Sequence, residues 1–209
     1  GIFEKSRLML QRYAALRALI YFGAVAIFYA ISACLAREQG GYYVFLEGGF
    51  AETVQLISIV VAGVLLAFLA RAHPEARGVL SLLATVSWLA AIRELNNTET
   101  YRIIFSFPGA SWFFGLAALG FIGWRFRRNL PEQILTTMNY PACIFFVAGF
   151  VIIVAWAQIF AQRSIFESAE VDRIVEEGLE TAGYLLILSG VVELSFNLRQ
   201  GRSVPPARD

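Results

Sequence analysis

The chain has 209 residues, 58% of them hydrophobic and 16% charged, with 18 Phe, against about 25% charged residues in an ordinary soluble domain. That balance excludes a water-soluble globule and reads as an integral membrane protein. A net charge of +1 argues against a nucleic-acid partner, because phosphate binding needs clustered, uncompensated Lys and Arg.

A hydrocarbon core about 30 Å thick takes about 20 helical residues, and about 17 suffice. Against that length the apolar runs predict an all-α, six-helix transmembrane bundle with spans at 14–35, 53–70, 78–92, 108–124, 141–160 and 179–196. The connections are too short to hold a separate folded domain, so 1–209 reads as a single polytopic unit.

The first span follows Lys5, Arg7, Arg12 and Arg17. Its end, Ile31-Ser32-Ala33-Cys34, resembles a lipoprotein signal with its acceptor cysteine, but the apolar stretch is long for a signal peptide and is read as an uncleaved helix. Ala26, Ala30 and Cys34 recur at four-residue steps, and span four carries Ser111 and Gly115, then Ala118, Gly120 and Gly123. Such faces let helix backbones approach closely in lipid, and packing within the bundle is their expected use.

Glu52 opens the second span, with Gln55 one turn on. The third is the shortest and reaches full length by carrying Arg93 and Glu94 into the headgroup region. Ser87, Ala91 and Glu94 share one helical stripe that should face inward, whereas Arg93, about 100° around, need not follow. Pro108 and Pro141 mark helix entries, where a missing N–H costs nothing. The segment 161–178, with Ile165, Val171, Ile174 and Val175 as its apolar positions, reads as an outer surface helix running into span six; 200–209, with Pro205 and Pro206, reads as a mobile tail. Trp88, Trp112, Trp124, Trp156, Tyr42, Tyr43, Tyr101 and Tyr140 lie near span ends, as an interfacial belt requires, and do not read as a cofactor box.

Six spans put both termini on one side. Twelve Lys and Arg fall on that side and five (Arg37, Arg93, Arg102, Arg163, Arg173) on the other, so the positive-inside rule makes the termini cytoplasmic; the expected setting is a bacterial-type inner membrane. Eleven of the sixteen carboxylates lie outside, an asymmetry that orientation does not require. Cys34 and Cys143 fall at opposite membrane faces, about 30 Å apart by helical rise, and cannot pair within one chain.

His73, the single histidine, lies in a short loop before Pro74. A rhomboid-like protease needs serine and histidine facing each other; Gly109-Ala110-Ser111-Trp112 has half of the serine motif and no partner. The pair Glu176-Glu177 resembles that of glutamate-type intramembrane proteases, but the run continues Gly178-Leu179-Glu180-Thr181 and departs from their pattern at every further position. Zinc and haem chemistry lack ligands here.

Carboxylate chemistry remains. Glu176 and Glu180, and Glu177 and Glu180, share a helical surface patch, and alternating topology brings Glu52, Arg93, Glu94, Glu177 and Glu180 to one depth. Such a group suits a hard cation such as Ca or Mg, a cationic substrate or a proton relay; equally, acids in a first turn meet the positive end of the helix dipole. Glu193, near the inner end of span six, is an intramembrane acid that calls for a partner such as Arg17 or for protonation.

The expected function is a non-catalytic membrane subunit or small binding protein of a larger assembly, with lipids and protein partners in the membrane and no cofactor. The alternative is a small transporter or carboxylate-dependent enzyme using the outer cluster. Six spans in this length also resemble, in size and span count, the substrate-binding components of energy-coupled vitamin transporters.

Overall fold

The computed structural model describes residues 2–45, 49–96, 108–159, 166 and 168–199; for 2–15, 39, 41–42, 96 and 108–112 it describes the backbone alone. All regular structure among the described residues is helical: α1 (Ile2–Gln39), α2 (Gly41–Val44), α3 (Phe50–Ala72), a 3-10 turn (Pro74–Ala76), α4 (Arg77–Asn96), α5 (Pro108–Phe126), α6 (Leu130–Met138), α7 (Ala142–Val151) continued by a π-helical segment (Ile152–Ala157), and α8 (Ala169–Arg199). Four helices are long and apolar enough to cross a membrane, and five if α6 with α7 and its continuation is taken as one bent span. The proposed tail at 200–209 lies outside the described residues, as do Arg102, Glu99 and most of 160–167.

Each break in this helical chain has a local cause. α3 stops because the residue before a proline is pushed out of the helical region: His73, ahead of Pro74, has φ −123° and ψ 83°. Arg77 Nε then donates to the Ala70 carbonyl at 3.1 Å, covering one of the acceptors that the helix end exposes. At the start of α4 the orphan N–H of Val79 donates to Gln133 Oε1 at 3.2 Å, tying the loop helix α6 to the bundle.

α6 was not foreseen among the apolar runs, since its nine residues fall below the length of a span. Leu130, Ile134, Leu135 and Met138 recur at helical spacing, Leu135 and Met138 are exposed, and α6 turns by 95° into α7. An amphipathic helix crossing the direction of the spans belongs in the membrane interface.

The core lies where α3, α4 and α8 meet, with Ala62, Leu66, Leu69, Leu80, Val191 and Leu194 fully or nearly buried and Ala142 of α7 packed against them. α5 leans on α4, and α1 meets α8 and α2. The outward faces carry large apolar side chains, among them Leu19, Ile20, Phe22, Phe68, Phe113, Phe121 and Phe150. A surface of that kind is compatible with lipid and not with water.

The small residues are used differently from the sequence expectation. Ala26, Ala30 and Cys34 are exposed, and a side chain at Gly120 or Gly123 would meet nothing within 4 Å, so these faces do not pack the bundle; of that group Gly115 does, against Leu89. A close approach of helix backbones occurs instead between α7 and α8, where a Cβ on Gly149 would stand 2.5 Å from the Gly183 carbonyl oxygen. The reason is that periodicity marks small faces but not which face turns inward. Cys34 and Cys143 are both free thiols.

The predicted surface helix and sixth span form one helix from Ala169 onward. Asp172 secures its start by accepting from the Phe166 N–H at 3.2 Å. Its continuation carries most of the polar chemistry described below.

Candidate functional site

Two helix ends meet the interior of a third helix: the first turns of α3 bring Glu52 and Gln55, the last turns of α4 bring Arg93 and Glu94, and the first half of α8 brings Glu177, Glu180, Thr181 and Tyr184, well past the first turn in which acids at the start of span six were expected. Glu52, Gln55, Glu94, Glu180, Thr181 and Tyr184 are all buried. The stripe Ser87, Ala91 and Glu94 faces inward as its spacing requires. Arg93 points from the adjacent position with a side chain 41% exposed.

Arg93 links the helices. Its Nη2 donates to both oxygens of Glu180 at 3.1 Å, and its Nε stands 3.3 Å from Glu94 Oε1. The Tyr184 hydroxyl donates to the same Glu94 oxygen at 2.9 Å. Glu52 lies near enough to Glu94 for their charges to interact.

A second set of bonds runs through Gln55, which is 0% exposed. Its two Nε2 hydrogens face three oxygens, Glu177 Oε2 at 2.9 Å, Thr181 Oγ1 at 3.0 Å and, as the longest and shared contact, the Glu177 carbonyl at 3.3 Å. Thr181 in turn donates its hydroxyl to the Glu177 carbonyl at 2.7 Å, so all three groups facing that nitrogen are acceptors. Their arrangement fixes the amide orientation, because the reverse would set an oxygen against three oxygens. It leaves Gln55 Oε1 buried without a hydrogen-bond donor.

Glu177 is also 3.7 Å from Arg173, one turn earlier on α8, and Arg173 Nε reaches the Phe45 carbonyl at 3.4 Å. Glu176 is half-buried at the margin, within charge reach of Glu180 and Arg93. Gln158, directly after the π-helical segment, places its Nε2 3.5 Å from Glu180 Oε1, the outer limit of a hydrogen bond. The wider π turn sets the phase at which Gln158 arrives.

Neither the chain nor its fold finds a counterpart: no family model, no curated protein and no solved structure matches it. The chemistry is therefore argued from the side chains themselves. Among the described residues no three acids, histidines or cysteines come together as a group able to hold a metal ion. The carboxylates are instead distributed around one guanidinium, with Glu52, Glu94, Glu177 and Glu180 against Arg93 inside and Arg173 at the rim. Among the described residues the arrangement offers several carboxylate acceptors around Arg93 and Arg173.

Sequence reasoning had Glu52, Gln55, Arg93, Glu94, Glu176, Glu177 and Glu180 but missed Thr181, Tyr184 and Gln158. The first two carry a readable signal, since Thr181 and Tyr184 follow Glu177 at the four- and seven-residue steps of one helical face. Gln158 carries none, because its position depends on a π turn.

At the other end of α8, Glu193 accepts from Arg17 Nε at 2.6 Å and Arg17 Nη2 at 2.8 Å, a bidentate pair, and from the Tyr21 hydroxyl at 3.1 Å. Arg17 also lies over the Phe196 ring, 5.4 Å from its centroid. This cluster is closed on itself and holds α1 to α8.

Proposed function

We propose that this protein is a membrane-embedded binding protein, acting as a non-catalytic subunit of a larger inner-membrane assembly, whose outer pocket receives a cationic group. Gln55 Oε1 is the observation that carries this reading: a fully buried acceptor without a donor, on an amide otherwise bonded among the acids of α8. An unsatisfied buried acceptor costs about 1–3 kcal/mol, and the Glu177 carboxylate bonded to the same amide adds negative charge beside it. A ligand bringing positive charge and N–H donors relieves both at once.

Thermal unfolding of the detergent-purified protein tests it, with ethylammonium chloride as probe and sodium and calcium chloride at matched ionic strength. A ligand that binds only the folded state at 100 times its Kd adds about 2.7 kcal/mol, so ethylammonium should raise the Tm by several degrees beyond sodium. Glu177→Gln, at the rim of the pocket, should reduce the shift. A larger shift with calcium would assign the pocket to a hard cation. Equal curves in all three salts would overturn the reading, whereas ethylammonium accumulation inside vesicles carrying the protein would favour a small transporter.

Six spans with cytoplasmic termini complete the proposal, supported by the twelve-to-five division of basic residues. Single cysteines placed at Arg127 and Glu170, with Cys34 and Cys143 replaced, should differ in intact cells: an impermeant maleimide should label position 170 and leave 127 unlabelled. External labelling at 127 would reverse the orientation.

A further inference from the structure

At the end of α3 and α4 away from the outer pocket, a cavity of about 730 Å³ opens between α3, α4 and α5, lined by Arg71, Arg77, Ser81, Thr85, Trp88 and Ile122 among others. On α4, Arg77, Ser81, Thr85 and Trp88 follow one another at four-, four- and three-residue steps, so they form a single stripe. The stripe is cationic at the helix start, carries two hydroxyls and ends on an indole about 16 Å of helical rise further on. Thr85 returns its hydroxyl to the Ser81 carbonyl at 2.9 Å, which lets it sit in an otherwise apolar wall.

We propose that this cavity holds an anionic phospholipid, with its headgroup phosphate between Arg71 and Arg77 and an acyl chain passing along Ala67, Ala84, Ile122 and Trp88. The charges on this face of the bundle are sorted: the cavity is lined by two guanidiniums and no carboxylate, while Glu75 and Glu132 line a separate cavity with Asn129 and Gln133. Glu75 is also engaged by His73 at 3.0 Å. Among the described residues neither Arg71 nor Arg77 forms an ion pair with a carboxylate. Arg77 Nε is held by the Ala70 carbonyl at 3.1 Å, which anchors one edge of the guanidinium and leaves its two amino groups for an oxyanion. A basic pocket between membrane helices, at the level of the headgroups, suits an anionic lipid head.

The surroundings favour a lipid over a dissolved phosphate. Ala67, Arg71, Arg77 and Trp88 are exposed at the cavity mouth, and Phe68 and Phe121, next in the chain to Ala67 and Ile122, are large exposed apolar groups that belong against acyl chains. A free phosphate would use the two cations and leave the wall below them empty. Between lipids the selection is by charge: a zwitterionic head brings its own ammonium beside two guanidiniums and is repelled, whereas an anionic head is not.

Native mass spectrometry of the full chain in detergent, offered equimolar phosphatidylglycerol, phosphatidylethanolamine and phosphatidylcholine of one acyl composition, tests the proposal. One phosphatidylglycerol should be retained, enriched about ten-fold over either zwitterionic lipid, as a charge-assisted hydrogen bond allows. Arg71→Gln with Arg77→Gln should abolish that preference, whereas Arg127→Gln with Arg128→Gln, which removes the same charge from the next connection, should keep it. Ala67→Trp, which fills the apolar wall and leaves both cations, should lose the retained lipid. Should the double variant at 71 and 77 not fold, Arg71→Gln alone, at an exposed position, should still weaken the preference. Equal retention of the three lipids, or a preference that survives the loss of Arg71 and Arg77, overturns the site; a preference lost equally with Arg127 and Arg128 overturns it in favour of diffuse attraction. If inorganic phosphate abolishes the preference while Ala67→Trp leaves it intact, the cations hold a free phosphate and the lipid assignment falls, as it does if an acidic partner chain is retained in place of the lipid.

Discussion

Glu193→Ala will destabilise the protein by about 3–5 kcal/mol, the cost of leaving a buried charge without its partner, whereas the double variant Arg17→Met with Glu193→Leu will recover much of that loss. Glu193 is almost fully buried, with its side chain 5% exposed, and Arg17 mostly so. Removing the carboxylate strands a guanidinium held by two short bonds and deprives the Tyr21 hydroxyl of its acceptor. Removing both charges takes away the desolvation penalty of each, and the substitutes fill the space with apolar atoms. The order of stabilities, read by thermal or denaturant unfolding in one detergent, should be wild type, then the double variant, then Glu193→Ala. If the single and double variants unfold together, the pair contributes no coupling and α1 is held to α8 by packing alone.

This contact also shows what the chain discloses before it folds. An acid at membrane depth demands a cation at the same depth, and Arg17 is the basic residue that the alternating spans bring there; the pairing follows from cost and level. The convergence of Glu52, Gln55, Arg93, Glu94, Glu177 and Glu180 follows similarly, because helix ends that share a membrane face share a plane. Depth, however, says nothing about rotation about a helix axis. That is why the inward stripe of α4 was legible, through the unusual run of Ser87, Ala91 and Glu94, while on α8, whose first half carries charges on several faces, the spacing of Thr181 and Tyr184 from Glu177 was a signal that nothing singled out. It is also why Ala26, Ala30 and Cys34 suggested a packed face and lie exposed. The α6 helix escaped for a different reason, since an interfacial helix needs amphipathicity rather than length.

Gly149→Ala should be strongly damaging for a single-methyl change, while Gly120→Ala and Gly123→Ala should be neutral or stabilising. At Gly149 the added Cβ would lie 2.5 Å from the Gly183 carbonyl oxygen and 2.8 Å from Ile187 Cγ1. Ile187 can rotate, but the carbonyl belongs to the α8 backbone, so α7 and α8 must separate. Overpacking of this kind costs about 1–3 kcal/mol, and the upper end is expected where backbone rather than side chain has to move. The displacement also reaches the site: α7 continues through the π turn to Gln158, which already holds Glu180 at 3.5 Å, so this bond breaks first. At Gly120 and Gly123 nothing lies within 4 Å, and replacing glycine by alanine in a helix gains up to about 1 kcal/mol. The three variants add the same methyl group to the same kind of helix, so propensity cancels and the difference in their unfolding temperatures measures the α7 to α8 contact. A Gly149→Ala protein as stable as the Gly120→Ala protein would mean that the two helices do not cross at that distance, and Gln158 would then be placed wrongly as well.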